Sequence, residues 1–425
     1  MNLENFEPKN KKNTPKLSPT GVPLEEFDFY QNRFESMATR HNKRGRAKGM
    51  EAKMNRLADK NALNNDKRTR PSQVTKEYVI QEQAERENTE FNRRYDLELK
   101  GWQEDLKPVV DAFKAKRDDP EGEGKKHKIL ILSLGGGMRG PYGAGQVVGL
   151  NEMGLTADKA DVLYGISAGA ADLAYYAGGP ENTKRGASIY SDECNSPEFL
   201  SFNPKRLNNM MRAVDVVGGA MRKGEKALNV EAIRNLPGEV YVQVTTVDGH
   251  EAEMVDVKTA DPDMISAFEA SMNVPLLNAP GVKVNGKEYI DGGFDPLPIQ
   301  KLIDKFHPTD ILILPNTPFR RIEEFPISPN WAKHLRRSGS LGSVKKFFQI
   351  ASDLRNLLED FSKREGVNIG MLWPPDRGLD VLDTDPGMVE IGVKDAAMDT
   401  IKQFEGKSRN VELYVPEKFR IEKAA

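Results

Sequence analysis

The sequence predicts an α/β fold, a three-layer α/β/α sandwich around a mostly parallel central sheet, preceded by a charged extension. Two observations lead to this prediction. A continuous apolar run at residues 128–134 has the length and composition of a strand covered on both faces. After it, segments of strand and helix character alternate along most of the chain, as they do where helices connect parallel strands.

The remaining elements follow from hydrophobic periodicity and turn residues. Further strands are predicted at residues 162–164, 239–247, 251–257, 287–290 and 310–314. Helices are predicted at residues 143–152, 168–177, 229–235, 260–271 and 299–305. Residues 340–365 carry apolar side chains on one helical face, which favours packing on the core over a lid that contacts lipid.

Residues 1–125 differ in composition from the rest of the chain. They are rich in charged and amide side chains and poor in β-branched and aromatic ones, which predicts an extension that is partly disordered and partly helical. The acidic, glycine-containing stretch at residues 118–124 is typical of a linker. We therefore expect a globular domain at residues 126–415 and a short tail at residues 416–425.

The bulk composition excludes some classes of protein. The net charge of -2 excludes a strongly basic chain that coats nucleic acid, and the single cysteine, Cys194, excludes an intramolecular disulfide. No segment has the apolar length of a signal peptide or of a membrane span. We expect a cytoplasmic or peripheral membrane protein, with export as an effector left open.

One segment, residues 40–70, is strongly basic. It holds eleven Lys and Arg residues against three acidic ones, and we call it the basic arm. Near an anionic membrane each basic residue contributes about 1 kcal/mol, so the basic arm could recruit the protein to lipid. Such basic runs are more commonly disordered and solvated. RNA binding is an open alternative at this point, although we expect no nucleic-acid partner.

Three short motifs carry residues that can do chemistry, and the first is the loop Gly135-Gly136-Gly137-Met138-Arg139-Gly140, which joins a predicted buried strand to a helix. Its spacing fits neither a dinucleotide-binding nor a P-loop pattern. Backbone N–H groups in such a loop can stabilise an oxyanion. The alternative is a tight turn without a catalytic role.

The second motif places Ser167 between Gly165 and Gly169, after a predicted strand and before a predicted helix. That context is the one a nucleophile elbow requires, because side chains at the two glycine positions would clash with the neighbouring backbone. The alternative role for the serine is to cap the helix.

A serine nucleophile needs a base, and the sequence offers three candidates downstream. His307 precedes a predicted strand, whereas catalytic groups in open α/β sheets gather at the carboxyl ends, and His334 lies in a segment of surface character. Asp291 follows a short predicted strand and precedes two glycines, so its carboxylate could accept the serine proton directly. A turn aspartate is the alternative.

Together the three motifs resemble those of the patatin-like phospholipases, whose pattern is G-G-G-x-[RK]-G, then G-x-S-x-G, then D-G-[GA]. The resemblance extends from about residue 128 to about residue 405. It implies that Ser167 is the nucleophile, that Asp291 is its base and that Gly165 and Gly169 form the elbow. It implies an oxyanion hole at residues Gly135, Gly136, Gly137, Met138, Arg139 and Gly140. Arg139 matches the basic position of the family, where it could orient the loop, meet a lipid phosphate or form a salt bridge.

The expected activity is hydrolysis of fatty-acyl esters, with phospholipids as the expected substrates and no metal or cofactor. An acyl-enzyme on Ser167 would form and then be hydrolysed by water activated by Asp291. A protein activator is a further expected partner. Two alternatives remain: a hydrolase of another acyl ester or thioester, and a catalytically silent module that binds lipid or protein.

Overall fold

The computed structural model describes residues 99–200, 211–247, 251–274, 281–294, 299–321, 366–379 and 384–414. The basic arm, the predicted helix at residues 340–365, the predicted tail at residues 416–425 and His334 lie outside these ranges. The strands are β1 (Ile129–Ser133), β2 (Val162–Ile166), β3 (Glu239–Thr246), β4 (Ala252–Asp256), β5 (Val282–Val284), β6 (Lys287–Asp291), β7 (Asp310–Leu314) and β8 (Asn368–Met371). The helices are α1 (residues 99–118), α2 (Gly140–Glu152), α3 (Ala168–Ala177), α4 (Pro180–Ala187), α5 (Ile189–Asp192), α6 (Gly219–Arg222), α7 (Val230–Asn235), α8 (Met264–Ser271), α9 (Ile299–Phe306) and α10 (Pro386–Glu405).

The strands form one mixed, mostly parallel sheet. The order β3-β2-β1-β7-β8 is parallel throughout, whereas β4 and β6 both pair antiparallel with β3, and β5 pairs antiparallel with β6. The predicted mostly parallel sheet is confirmed. Helix α8 begins four residues later than the sequence suggested, because Asp263 caps it: its carboxylate accepts the Ser266 N–H at 2.9 Å.

The side chains of β1 alternate between two hydrophobic cores, one on each face of the sheet. Ile129 and Ile131 belong to the core formed with α2, α3 and α10, whereas Leu130 and Leu132 belong to the core formed with α9. Successive side chains of a strand point to opposite faces, so helices cover both faces of the sheet and the α/β/α sandwich is confirmed. None of the helices within the described ranges is both long enough and apolar enough to cross a lipid bilayer.

Helices α2 and α10 pack closely because glycines lie between them. A Cβ at Gly145 would lie 2.2 Å from the carbonyl oxygen of Val393, and one at Gly149 would lie 2.7 Å from that of Ala397. Neither distance leaves room for a side chain. The first helix after the glycine loop is thereby held against the last helix of the domain.

Helix α1 contributes to the core, although its sequence belongs to the charged region before residue 125. Leu106 and Val109 are buried against Gly370 of β8, and the ring of Phe113 meets that of Phe404 edge-on with the centroids 6.3 Å apart. A truncation that removes the extension should therefore end before residue 99.

Replacing Phe113 with alanine is expected to destabilise the protein by about 3–5 kcal/mol, because Phe113 is 0% exposed and its loss leaves a cavity. Urea unfolding measures this change. The matched control is Ile391→Ala on α10, where the side chain is 48% exposed and the expected change is below about 0.5 kcal/mol. Equal effects for the two variants would show that α1 does not belong to the folded domain.

Candidate active site

The candidate site lies at the carboxyl ends of the parallel strands, along one side of the sheet. Ser133, Ile166 and Leu314 end the neighbouring strands β1, β2 and β7, so the three segments that follow them meet at one edge of the sheet. These segments are the glycine loop, the turn that holds Ser167 and the turn that holds Asn316. Ligands of open α/β sheets bind at this edge.

Ser167 occupies a strained turn between β2 and α3. Its backbone has φ 53° and ψ −124°, a conformation that residues other than glycine rarely adopt. A Cβ at Gly165 would lie 2.5 Å from Cα of Ala170, and one at Gly169 would lie 2.5 Å from the carbonyl of Ser133. The two glycines of the predicted elbow therefore allow the backbone to approach this closely.

Asp291 reaches Ser167 through an unusual strand arrangement. Val242 of β3 pairs with β2 on one edge and β4 on the other, and Val244 pairs with β4 and β6. Strand β4 pairs along one side of β3. Strands β2 and β6 therefore both pair with the other side of β3, β2 along its first part and β6 along its last part. Ile166 pairs with Gln243 and Asp291 pairs with Val244, so Asp291 lies just beyond the end of β2, where Ser167 begins.

The end of α8 and the turn that follows it contact the backbones of both Ser167 and Asp291. The Ser167 N–H donates to Oγ of Ser271 at 3.0 Å, and the Asp291 N–H donates to the carbonyl of Asn273 at 2.9 Å. Ser271 and Asn273 are both buried. The backbones of the two candidate residues are thus fixed by positions only two residues apart in the chain.

Asp291 is buried, with 3% of its surface exposed. Its Oδ1 accepts the Gly293 N–H at 2.7 Å. Burial raises the pKa of Asp291 to about 7, although interactions with the Ser167 hydroxyl and the Gly293 N–H lower it. Oδ2 of Asp291 is buried and has no hydrogen-bond partner among the residues described.

The glycine loop lies directly beside Ser167. A Cβ at Gly135 would lie 3.1 Å from Cβ and 3.7 Å from Oγ of Ser167, and Gly137 has φ 56°, which favours glycine. The Leu134 N–H is held by Leu314, whereas the N–H groups of Gly135 and Gly136 make no hydrogen bond within the described part of the chain. Two backbone donors of this loop are therefore free.

Met138 and Arg139, near the end of the glycine loop, are both buried. Met138 is 1% exposed, and Arg139 is 3% exposed and donates from Nε to the carbonyl of Leu379 at 3.3 Å. The guanidinium of Arg139 is therefore buried and contacts the backbone of the segment that precedes α10.

The two histidines that the structure describes lie far from this edge. His127 precedes β1 and pairs with Asp310 at 2.8 Å, and His307 precedes β7. Since β1, β2 and β7 are parallel, both histidines lie at the amino edge of the sheet, opposite Ser167. The sequence placed His307 at this end of its strand.

An apolar pocket extends from Ser167 between α3 and the segments that follow it. Its lining combines loop residues with apolar side chains, among them Met138, Ala171, Tyr175, Ile189, Phe199 and Met211. In the described ranges, no group of three or more His, Cys, Asp or Glu side chains is placed to hold a metal ion.

The structure also brings in polar residues that the sequence did not single out. Ser271, Asn316, Tyr190 and Asp172 are buried around Ser167 and the glycine loop. Asp172 offered a signal, because it is the single charged residue of the otherwise apolar helix α3. Asn316 offered less, since a polar residue two positions after a buried strand is common.

Comparison with known proteins finds a family match in the central segment of the chain. Residues 132–303 match the family model of patatin-like phospholipase. Among solved structures, the chain is similar to VipD from Legionella pneumophila, with 15% identity over 67% of this chain and 68% of that chain and a TM-score of 0.35. It is also similar to the type III effector protein ExoU, with 15% identity over 53% of each chain and a TM-score of 0.23, so it spans about half the length of ExoU. No curated protein matches the chain.

Proposed function

We propose that this protein is a serine hydrolase that cleaves fatty-acyl esters of phospholipids with Ser167 and Asp291, and the match of residues 132–303 to the patatin-like phospholipase family supports this proposal. One observation carries the proposal. A carboxyl group with a pKa of about 7 is buried beside a serine hydroxyl on a strained turn. A group with that pKa can accept a proton near neutral pH and return it in the next step.

The proposed reaction begins when Oγ of Ser167 attacks the ester carbonyl carbon and its proton passes to Asp291. The tetrahedral oxyanion accepts hydrogen bonds from the N–H groups of the glycine loop, of which Gly135 and Gly136 are free. Collapse of the intermediate breaks the ester bond, and the leaving alcohol takes the proton from Asp291. Asp291 then accepts a proton from water, which attacks the acyl-enzyme. When the acyl–Oγ bond breaks, this proton passes to Oγ of Ser167 and the fatty acid is released.

The remaining parts of the site have roles in the same scheme. The apolar pocket that starts at Ser167 would take the acyl chain, since its lining is largely apolar carbon. No histidine, metal ion or cofactor takes part in the scheme. Excess chelator is therefore expected to leave the rate unchanged.

The substrate class can be tested with vesicles of phosphatidylcholine and phosphatidylglycerol, triacylglycerol emulsion, p-nitrophenyl butyrate and palmitoyl-coenzyme A. The proposal expects release of free fatty acid from phospholipid, with Ser167→Ala as the blank. Hydrolysis of the simple ester or thioester without phospholipid hydrolysis would favour the second candidate, a hydrolase of another acyl ester. The burial of Arg139 favours that candidate, because it removes one obvious ligand for the phosphate group. Absence of any hydrolysis, and of labelling of Ser167 by a fluorophosphonate, would leave the silent module.

Access to lipid is proposed to involve the basic arm, with the protein cytoplasmic or peripheral to a membrane. Reversing four charges, Lys43→Glu, Arg44→Glu, Arg46→Glu and Lys48→Glu, is expected to lower binding to vesicles with 30% anionic lipid at least about tenfold, because each lysine or arginine contributes about 1 kcal/mol. Co-sedimentation in low and high salt measures binding. The hydrolysis of p-nitrophenyl butyrate should be unchanged and serves as the control. Equal vesicle binding by the variant and the wild type would remove the basic arm from the proposal.

A further inference from the structure

A buried polar network lies beneath the glycine loop. Asp172 on α3, five positions after Ser167, accepts hydrogen bonds from the Tyr190 hydroxyl at 2.9 Å on Oδ1 and from Nδ2 of Asn316 at 3.3 Å on Oδ2. Asp172, Tyr190 and Asn316 are 3%, 7% and 0% exposed. The three side chains come from α3, α5 and the turn after β7, so the network joins distant parts of the chain.

Asn316 holds the start of the glycine loop. Its Nδ2 also donates to the carbonyl of Leu134 at 2.6 Å, and a Cβ at Gly136 would lie 2.6 Å from Cβ of Asn316. The Leu134 N–H donates to the carbonyl of Leu314 at 3.0 Å. The residue that precedes Gly135 is therefore fixed at both its N–H and its carbonyl.

Tyr190 and Asp172 meet the end of the loop and the helix that follows it. A Cβ at Gly140 would lie 2.2 Å from the hydroxyl oxygen of Tyr190. A Cβ at Gly143 would lie 2.3 Å from Oδ1 of Asn316 and 2.4 Å from Oδ2 of Asp172. The start of α2 thus rests on all three polar side chains, and a side chain at either glycine would displace them.

Burying these polar groups costs stability, so filling space in the core is not a sufficient reason for their presence. Burial raises the pKa of Asp172 well above the ordinary range of a carboxyl group, although the hydrogen bonds from Tyr190 and Asn316 lower it. Oδ1 of Asn316 has no partner among the residues described. Apolar side chains of the same volume would avoid both penalties.

We propose that Asp172, Asn316 and Tyr190 are positioning residues that hold both ends of the glycine loop at a fixed distance from Ser167, and so place the oxyanion donors. The inference rests on the proposed function, because it gives the loop N–H groups a role in hydrolysis. Asp172 lies on α3 and Ser167 lies in the turn that precedes this helix. The network therefore fixes the position of the loop donors relative to the nucleophile.

The expected kinetic signature follows from what the loop would bind. Donors must lie about 2.7–3.1 Å from the oxyanion of the transition state, and a misplacement of about 1 Å costs about a hundredfold in rate. The ground-state ester depends on these donors much less. Loss of the network should therefore lower kcat with little change in KM.

The test compares Asn316→Ala, Asp172→Asn and Tyr190→Phe with the wild type on p-nitrophenyl butyrate and on a trifluoromethyl ketone that forms a tetrahedral adduct with serine. We expect Asn316→Ala to lower kcat by about a hundredfold and to raise the inhibition constant of the ketone by a similar factor, with KM within about threefold. Tyr190→Phe, which removes one oxygen atom, should shift both quantities in the same direction by a smaller factor. The matched control is Asn182→Ala, a buried asparagine on α4 that donates to the carbonyl of Ala227 and does not contact the loop.

Thermal unfolding of each variant separates loss of fold from loss of positioning, and Tyr190→Phe serves where Asn316→Ala does not fold. A ketone inhibition constant that stays at the wild-type value while kcat falls would overturn the inference, as would equal kcat losses in Asn182→Ala and Asn316→Ala. Failure of the proposed function looks different, since the wild type would then show no hydrolysis beyond that of Ser167→Ala, and both proposals would fall.

Discussion

Replacing Asp291 with asparagine is expected to lower kcat about a thousandfold and, at pH 8, to raise the free energy of unfolding. The loss of rate follows from removal of the base, because general-base catalysis typically contributes about 10²–10⁴-fold. The gain in stability follows from removing a charge that the fold holds away from water. The rise in the pKa of Asp291 from 3.8 to about 7 corresponds to a cost of about 4 kcal/mol for the ionised form.

The sign of the pH dependence follows from proton binding. Between about pH 4 and pH 7 the folded protein holds the Asp291 proton more tightly than the unfolded chain does, so this group lowers stability as pH rises through that range. The full cost is present above about pH 7 and absent below about pH 4. The stability advantage of Asp291→Asn should therefore grow from pH 4 to pH 7 and then level off.

Urea unfolding of the wild type and Asp291→Asn at pH 5 and pH 8 measures this difference. The matched control is Asp310→Asn, because Asp310 is 0% exposed and its carboxylate accepts from His127, Thr309 and Asn368. In Asp310→Asn the amide NH₂ group would face these hydrogen-bond donors and could accept nothing from them. This variant is therefore expected to be less stable than the wild type at pH 8. A variant Asp291→Asn that is both active and no more stable at pH 8 would contradict the role of Asp291.

Replacing Ser167 with alanine is expected to lower kcat by about 10⁴–10⁶-fold, because the loss of a nucleophile that acts with its base removes the contribution of both. The residual rate would come from the oxyanion donors and from binding alone. The double variant, Ser167→Ala with Asp291→Asn, should then differ little from Ser167→Ala, because the base has no function without its nucleophile. Initial rates on the preferred ester, with each variant checked for folding, measure these effects.

The backbone at Ser167 supplies a second observable. A φ of 53° with a ψ of −124° is strained for alanine as it is for serine, whereas glycine adopts it with little cost. We expect Ser167→Gly to be more stable than Ser167→Ala by about 1 kcal/mol, with both inactive. Substantial hydrolysis by either variant would show that Ser167 is not the nucleophile. Equal stability would show that the turn relaxes without cost.

The fold class and the turn at Ser167 could be predicted because both depend on local sequence. The apolar run of β1 and the sequence Gly165-Ile166-Ser167 each determine their conformation within a few residues. The short strands β5 and β8 could not be predicted, because three or four residues at the outer part of a sheet carry little hydrophobic pattern. Helix α1 looked like part of a charged extension, since its buried face is narrow and its other faces are polar.

The position of Asp291 beside Ser167 depended on topology rather than on local sequence. The motif Asp291-Gly292-Gly293 suggested a candidate, but no sequence pattern indicates that β6 continues the edge of β3 where β2 ends. The polar residues beneath the glycine loop are a similar case, because Asp172 and Asn316 lie 144 positions apart in the chain. Contacts at that separation depend on strand order, which local propensities do not contain.

The rate at which a fluorophosphonate labels Ser167, measured by intact-protein mass from pH 5 to pH 9, tests the central claim most directly. With Asp291 as the base, the wild-type rate should rise with pH and level off around an apparent pKa of about 7. The rise should disappear in Asp291→Asn and remain in His127→Ala, His307→Ala and His334→Ala. Labelling of Asp291→Asn at the wild-type rate, or loss of labelling in any one histidine variant that folds, would contradict a serine activated by Asp291.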